Sequence, residues 1–189
     1  MMRTAGFRNA IAGSLLALPI LAGLGLMPTA DAATAREIDA SVDAAMVRFH
    51  NEVQGSDEFL RAAKGILIFP GVIKAGFGVG GEYGEGALRI GGRTVDYYNI
   101  VSASYGFQIG AEKKDIILMF MQDRALQDFR NSSGWKAGVD GSVTLANVGA
   151  GGSLDTETMK DPIVGFVVGQ KGLMINLSLE GSKISRIER

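Results

Sequence analysis

The chain has 189 residues and contains no cysteine, a single histidine, a single tryptophan and only four prolines. Each shortage removes a class of function. Without cysteine there are no disulfides and no thiolate ligands, and no cysteine is present to carry a lipid anchor at a cleavage site. One histidine, His50, cannot build a zinc site of the usual ligand types. A Ser-His-Asp arrangement would have to use it, and no G-x-S-x-G elbow accompanies it. No D-x-[DN]-x-[DN]-G calcium loop occurs. Glu82 and Glu85 are close in sequence, but two glutamates near a strand turn ordinarily just solvate it. The expectation is a protein that is not an enzyme and holds neither metal nor cofactor.

An excess of one charge is also missing, with 19 basic against 20 acidic residues. That balance argues against a nucleic-acid partner, which would call for a strongly basic surface. Long apolar runs are confined to the first residues, where Arg3 and Arg8 precede a stretch from Ala10 to Met27, followed by Pro28, Ala30 and Ala32. This is the pattern of a secretory signal peptide with an A-x-A site, cut after Ala32. Gly13, Pro19, Gly23 and Gly25 interrupt the run, so as a permanent spanning helix, the alternative reading, it is poor. Removing residues 1–32 takes away two arginines and one aspartate, leaving 17 basic and 19 acidic residues. The remaining 157 residues suit one domain with a proper core.

What the sequence has in abundance is glycine. Of 27 glycines, four leave with residues 1–32, and the remaining 23 are about twice the usual frequency. The stretch "AGFGVGG" contains G-x-G-x-x-G at residues 76–81, the pattern of a dinucleotide-binding loop. Gly76, Gly78 and Gly80 alternate with Phe77 and Val79, however, and no helix follows, so the period is that of a strand. Glycine at every second strand position costs stability unless it permits a bend or the close approach of another backbone. A strongly curved or closed sheet is therefore expected.

Two helices precede the glycine-rich part. In "REIDASVDAAMVRFHNEV" (36–53), Ile38, Val42, Met46, Phe49 and Val53 recur with helical spacing on one face. That stripe packs on a core or lies on a membrane. Its opposite face mixes both charge signs, which favours packing. Ser56 reads as the N-cap of a short second helix through Ala63. "ILIFP" (66–70) reads as a strand ended by Pro70, with "VIKAGFGVGGEYG" and "GALRIGG" as hairpin arms after it. Glu112-Lys113-Lys114-Asp115 reads as a turn, and "IILMFMQ" (116–122) as a strand covered on both faces. "DRALQDFRN" is a helix, and Gly169 to Gly172 connect a last hairpin. The fold expected is α+β: N-terminal helices packed on a strongly curved, mainly antiparallel β-sheet or closed β-barrel. The organisation is a signal peptide over 1–32, an amphipathic helix over 33–55 and a β-rich domain over 56–189.

The segments "AAKGILIFPGVIKAGFGVGGEYGEGALRI" (62–90), "SYGFQIGAEKKDIILMFM" (104–121), "ALQDF" (125–129) and "GLMINLSLEGSKI" (172–184) resemble the SYLF domain family. The resemblance covers most of residues 56–187 and implies lipid binding. Eukaryotic relatives engage phosphoinositide membranes, yeast relatives also bind and bundle actin, and exported bacterial members are described as lipid-binding. Many members carry a Tyr-Ser-Arg-Ser-Lys-Gly-Leu stretch near the end, of which this chain keeps only Lys171, Gly172 and Leu173. The implied partner is a phospholipid or membrane surface in the periplasm, or else a protein of the envelope. Headgroup phosphates require Lys or Arg beside backbone donors. The candidates are Lys64, Lys74, Arg89, Arg93, Lys113, Lys114 and Lys171. If they gather at one end of the sheet they form a headgroup site.

The processed protein is expected to begin at Ala33. Intact-mass measurement of the exported chain checks this, and a mass that retains residues 1–32 contradicts it.

Overall fold

A computed structural model describes residues 33–106, 112–146, 156–169, 172–173 and 178–189. Residues 1–32, expected to be a signal peptide, the "NVGAGGS" stretch, Lys171 and most of the expected final hairpin's second arm lie outside these residues. Two helices come first, α1 (Ala35–Glu52) and α2 (Ser56–Ala62). Strands β1 (Gly65–Ile90), β2 (Arg93–Gly106) and β3 (Glu112–Phe120) follow, then helix α3 (Asp123–Asn131). Short strands β4 (Trp135–Lys136) and β5 (Thr144–Leu145) precede a 3₁₀ turn (Thr156–Lys160). Strands β6 (Ile163–Gly169), β7 (Gly172–Leu173) and β8 (Lys183–Ile187) complete the chain. The eight strands form one sheet in the order β4-β8-β2-β1-β3-β6-β5, with β7 also paired to β6. Among the described residues, every pairing between named strands is antiparallel except β5 with β6. The architecture is α+β, three helices on a strongly curved half-barrel.

Strand β1 makes the curvature. Its first part, residues 65–74, pairs with β3, and its second, residues 78–90, pairs with β2. The two parts lie against each other. A Cβ built on Gly86 would stand 1.9 Å from the Ile68 carbonyl oxygen, and one on Gly84 would stand 2.7 Å from Val72 Cγ2. Gly84 and Gly86 continue the alternation of Gly76, Gly78 and Gly80, so at these two positions the bare face is filled by the same strand's own beginning. Close backbone approach is the reason for glycine here.

The same strand corrects two sequence expectations. Pro70 does not end a strand, and residues 72–90 are not hairpin arms. The ladder with β3 skips between Phe69 and Val72, so Pro70 and Gly71 sit in a bulge where the missing proline N–H costs nothing. The actual reversal is Gly91-Gly92, both with positive φ (58° and 78°), a two-residue hairpin turn.

Residues 112–115 are likewise strand rather than turn. Lys114 is buried, its Nζ 2.9 Å from Oε1 of the partly buried Glu82, and Ser102 Oγ donates to Glu82 Oε2 at 3.4 Å. Asp115 is buried too. Its Oδ2 accepts from Arg48 Nε at 2.9 Å and Nη2 at 2.8 Å, while its Oδ1 accepts from the Gly71 N–H at 2.8 Å. Lys114 and Asp115 each meet an opposite charge from outside the strand, which is what allows them to be buried.

The sheet is covered on both faces. On one, Ile38, Val42, Ala45, Phe49 and Val53 of α1 and its C-cap meet Ile68, Ala87, Ile117, Met119, Val164 and Phe166. Phe166 takes Phe49 and Phe59 edge-on, with centroids 4.9 and 5.2 Å away, and so anchors both N-terminal helices. On the inner face, Phe129 of α3 lies among Tyr98, Phe120 and Trp135. Strand β3 therefore alternates Ile116, Leu118 and Phe120 inward with Ile117 and Met119 toward α1. Helix α1 starts in a capping box, with Thr34 Oγ1 accepting from the Glu37 N–H. The Thr34 N–H donates in return and holds the Glu37 carboxyl below its usual range. Ser56, by contrast, is not an N-cap but the first residue of α2, and Gly55 in the left-handed region occupies the cap.

Gly86→Ala is expected to destabilise the fold by about 3 kcal/mol or more, because the obstructing atom is backbone. Gly91→Ala, whose Cβ meets open space, should cost only about 1 kcal/mol for its positive φ. Equal losses in urea denaturation of the two variants would contradict the close-approach account.

Candidate functional site

The helices and the sheet leave a cleft at the turn end of β1. Met46 of α1, Leu60 and Arg61 of α2, Ala63 and Lys64 of the connection, Gly65, Ile66, Ile68 and Arg89 of β1, and the Gly91-Gly92 turn line it. Its volume is about 420 Å³, within the ~300–1,000 Å³ usual for small-molecule sites. The folding of β1 on itself assembles it, since a Cβ on Gly65 would be 3.6 Å from the Arg89 carbonyl oxygen. Residues 24 positions apart in sequence thus share one end of the sheet.

Three cations stand over an apolar floor. Met46, Leu60, Ile66 and Ile68 belong to the cluster that packs α1 on the sheet, with Ile68 buried and the other three partly buried. Arg61 and Lys64 are exposed, and neither has an ion pair among the described residues. Arg89 is half-buried, with Nη1 2.7 Å from Asp43 Oδ1 on α1, and its Nε is buried without an acceptor. An apolar trough under surplus positive charge can take a chain below and an anion above.

The predicted basic residues divide into two groups. Lys64 and Arg89 line the cleft, and Arg93 follows its rim turn as the exposed first residue of β2. Lys74 and the exposed Lys113 lie at the far end of the β1–β3 ladder, nine residues from Gly65, up to roughly 30 Å along a strand. Lys114 is committed to Glu82 in the interior, and Lys171 lies outside the described residues. The stripe Ile38, Val42, Met46, Phe49 and Val53 faces the sheet and not a membrane. Four of the five are buried and Met46 is partly buried, because Phe166 and Ile117 supply a protein surface for them. Sequence reasoning missed Arg61, whose signal was its place in the last turn of α2, three residues before Lys64. It also missed Asp43, which reads as one more polar residue on the outer face of α1.

Two further polar centres lie apart from the cleft. Asp96, buried on β2, contacts Arg186 of β8 and, at 3.5 Å, Arg130 of α3. Asp39 of α1 accepts from Thr94 Oγ1 at 2.8 Å and Tyr97 Oη at 2.9 Å. Burial, then that bond to Asp39, raises the Tyr97 phenol above its ordinary range. These centres fasten helices to strands.

Residues 101–188 match the family model described as Ysc84, Las17-binding protein actin regulator. The chain carries a SYLF domain. It is also 30% identical over 132 residues to the SH3 domain-containing YSC84-like protein 1 of Xenopus laevis, an alignment covering 67% of this chain. The aligned part spans 38% of that relative's length. The last residues of β2, all of β3 and α3, and β4 to β8 lie in the matched range, whereas Arg61, Lys64 and Arg89 of the cleft precede it.

Removing the buried lysine alone tests whether Glu82 is held by it. Lys114→Met should cost about 3 kcal/mol, and adding Glu82→Gln should restore most of it. Additive losses in a thermal-denaturation cycle would exclude the coupling.

Proposed function

We propose that this protein is a non-enzymatic lipid- or membrane-surface-binding domain of the bacterial envelope, exported to the periplasm, and that it meets anionic headgroups at the α2–β1 cleft. The observation that carries the reading is the placement of Arg61, Lys64 and Arg89 around one apolar trough. A phosphate at the rim gains charge-assisted hydrogen bonds from guanidinium and ammonium groups, and the floor accepts part of an acyl chain. The SYLF resemblance supports lipid as the ligand class, and the signal-peptide pattern of residues 1–32 supports export. The apolar stripe of α1 plays no part, because the sheet already covers it.

A second reading, a protein-interaction module, is favoured by one observation. The matching family description names a protein partner, Las17, and an actin regulator. Flotation with phosphatidylcholine vesicles of increasing phosphatidylglycerol content separates the two. Lipid binding predicts co-flotation that rises with anionic content and falls with salt. The double variant Arg61→Gln, Lys64→Gln should bind roughly thirtyfold more weakly, at ~1 kcal/mol for each charge near the surface. Absence of co-flotation at every composition would sink the lipid reading in favour of the protein partner.

A further inference from the structure

We propose that Asp43 is a built-in competitor for the headgroup, holding Arg89 until the phosphate of an anionic phospholipid replaces it. This rests on the lipid-binding reading of the cleft. Arg89 differs from Arg61 and Lys64 beside it, which have no ion pair among the described residues. Its side chain is 19% exposed, and the carboxylate it holds is 68% exposed. Its guanidinium engages Asp43 through Nη1 while Nε, buried, has no acceptor. An arginine offers donors in a planar fork, and a phosphate has enough oxygens to satisfy two of them together. The contact with Asp43 therefore leaves unused capacity that a phosphate can take up.

The exchange is cheap on the side of the competitor. An exposed carboxylate on a helix surface regains water when it is displaced, and exposed ion pairs contribute little to stability. Asp43 lies three residues before Met46, one turn back on α1, and its contact with Arg89 places it beside the cleft that Met46 and Arg89 line. The carboxylate thus weakens anion binding twice, by occupying Arg89 and by placing a negative charge beside the incoming one. Met46, Leu60 and Ile66 give the floor an apolar character that a free anion does not use. That selects a phosphate bearing a hydrocarbon chain.

The test is a mutant cycle on the exported protein, using flotation with phosphatidylcholine–phosphatidylglycerol vesicles. Asp43→Asn should bind about three- to tenfold more tightly than the parent. Asp43→Ser should reproduce the gain with a different side chain. Glu52→Gln makes the same change of charge at an exposed residue of α1 outside the cleft and should bind like the parent. In an Arg89→Gln background the Asp43→Asn gain should vanish. A parent that floats while Asp43→Asn gives no gain overturns the proposal and leaves lipid binding standing. So does an equal gain from Glu52→Gln, or one that survives the loss of Arg89. A second arm titrates inorganic phosphate by calorimetry, and tighter phosphate binding by Asp43→Asn without tighter vesicle binding overturns the lipid ligand in favour of a free anion. A parent that never floats removes the lipid reading and the competitor with it.

Discussion

The contact of the Ile68 carbonyl with the bare backbone of Gly86 is the constraint on which the rest of the structure turns. A 26-residue strand cannot remain flat while its first part pairs with β3 and its second with β2. Laying one part against the other solves this, provided that no side chain intervenes. Once it is solved, the sheet has an inner face for α3 and an outer face for α1 and α2. The same reversal brings Gly65 beside Arg89 and so puts the cleft cations at one end of the sheet. Packing and site have a common cause.

Buried charge plays the complementary part. The Asp115 carboxylate ties β3 to α1 through Arg48 and to the β1 bulge through Gly71, and the Lys114–Glu82 pair ties β3 to the returning half of β1. Asp96 does the same for β2, β8 and α3. The links to α1 and α3 and across the fold of β1 are connections that the β-ladders do not make, while the Asp96 contact with Arg186 reinforces the β2–β8 ladder. A buried ion pair adds little net stability over an apolar pair of the same shape, but losing one partner is costly. In this fold such pairs fix which surfaces meet, in particular the register of the bulged β1–β3 ladder.

The distribution of basic residues divides labour in the same way. Arg48, Lys114, Arg130 and Arg186 neutralise buried carboxylates. Arg61 and Lys64 stay exposed over an apolar floor, without an ion pair among the described residues, and Arg89 stands between the two roles. The lipid reading draws on this contrast rather than on the overall charge, which is close to neutral. It also transfers the membrane contact from α1, whose apolar stripe is already covered, to the junction of α2 with the sheet.

Much of this was legible along the chain. The 3.6-residue period placed α1, the apolar run from Ile116 announced a strand covered on both faces, and alternating glycine announced strong curvature. These signals depend on a few neighbouring residues and on which side of an element they occupy. What failed to appear depended on distant partners. Glu112-Lys113-Lys114-Asp115 has the composition of a turn, and only Glu82 and Arg48 make it strand. Pro70 has the look of a terminator, and only the bulge opposite β3 makes it harmless. The sequence by itself determined the helices, the glycine-lined strand and the family resemblance, because each is written in local spacing. Tertiary structure alone decided that Lys64 and Arg89 share a cleft while Lys114 is shut inside, since the fate of a charge depends on which opposite charge the fold brings within about 3 Å.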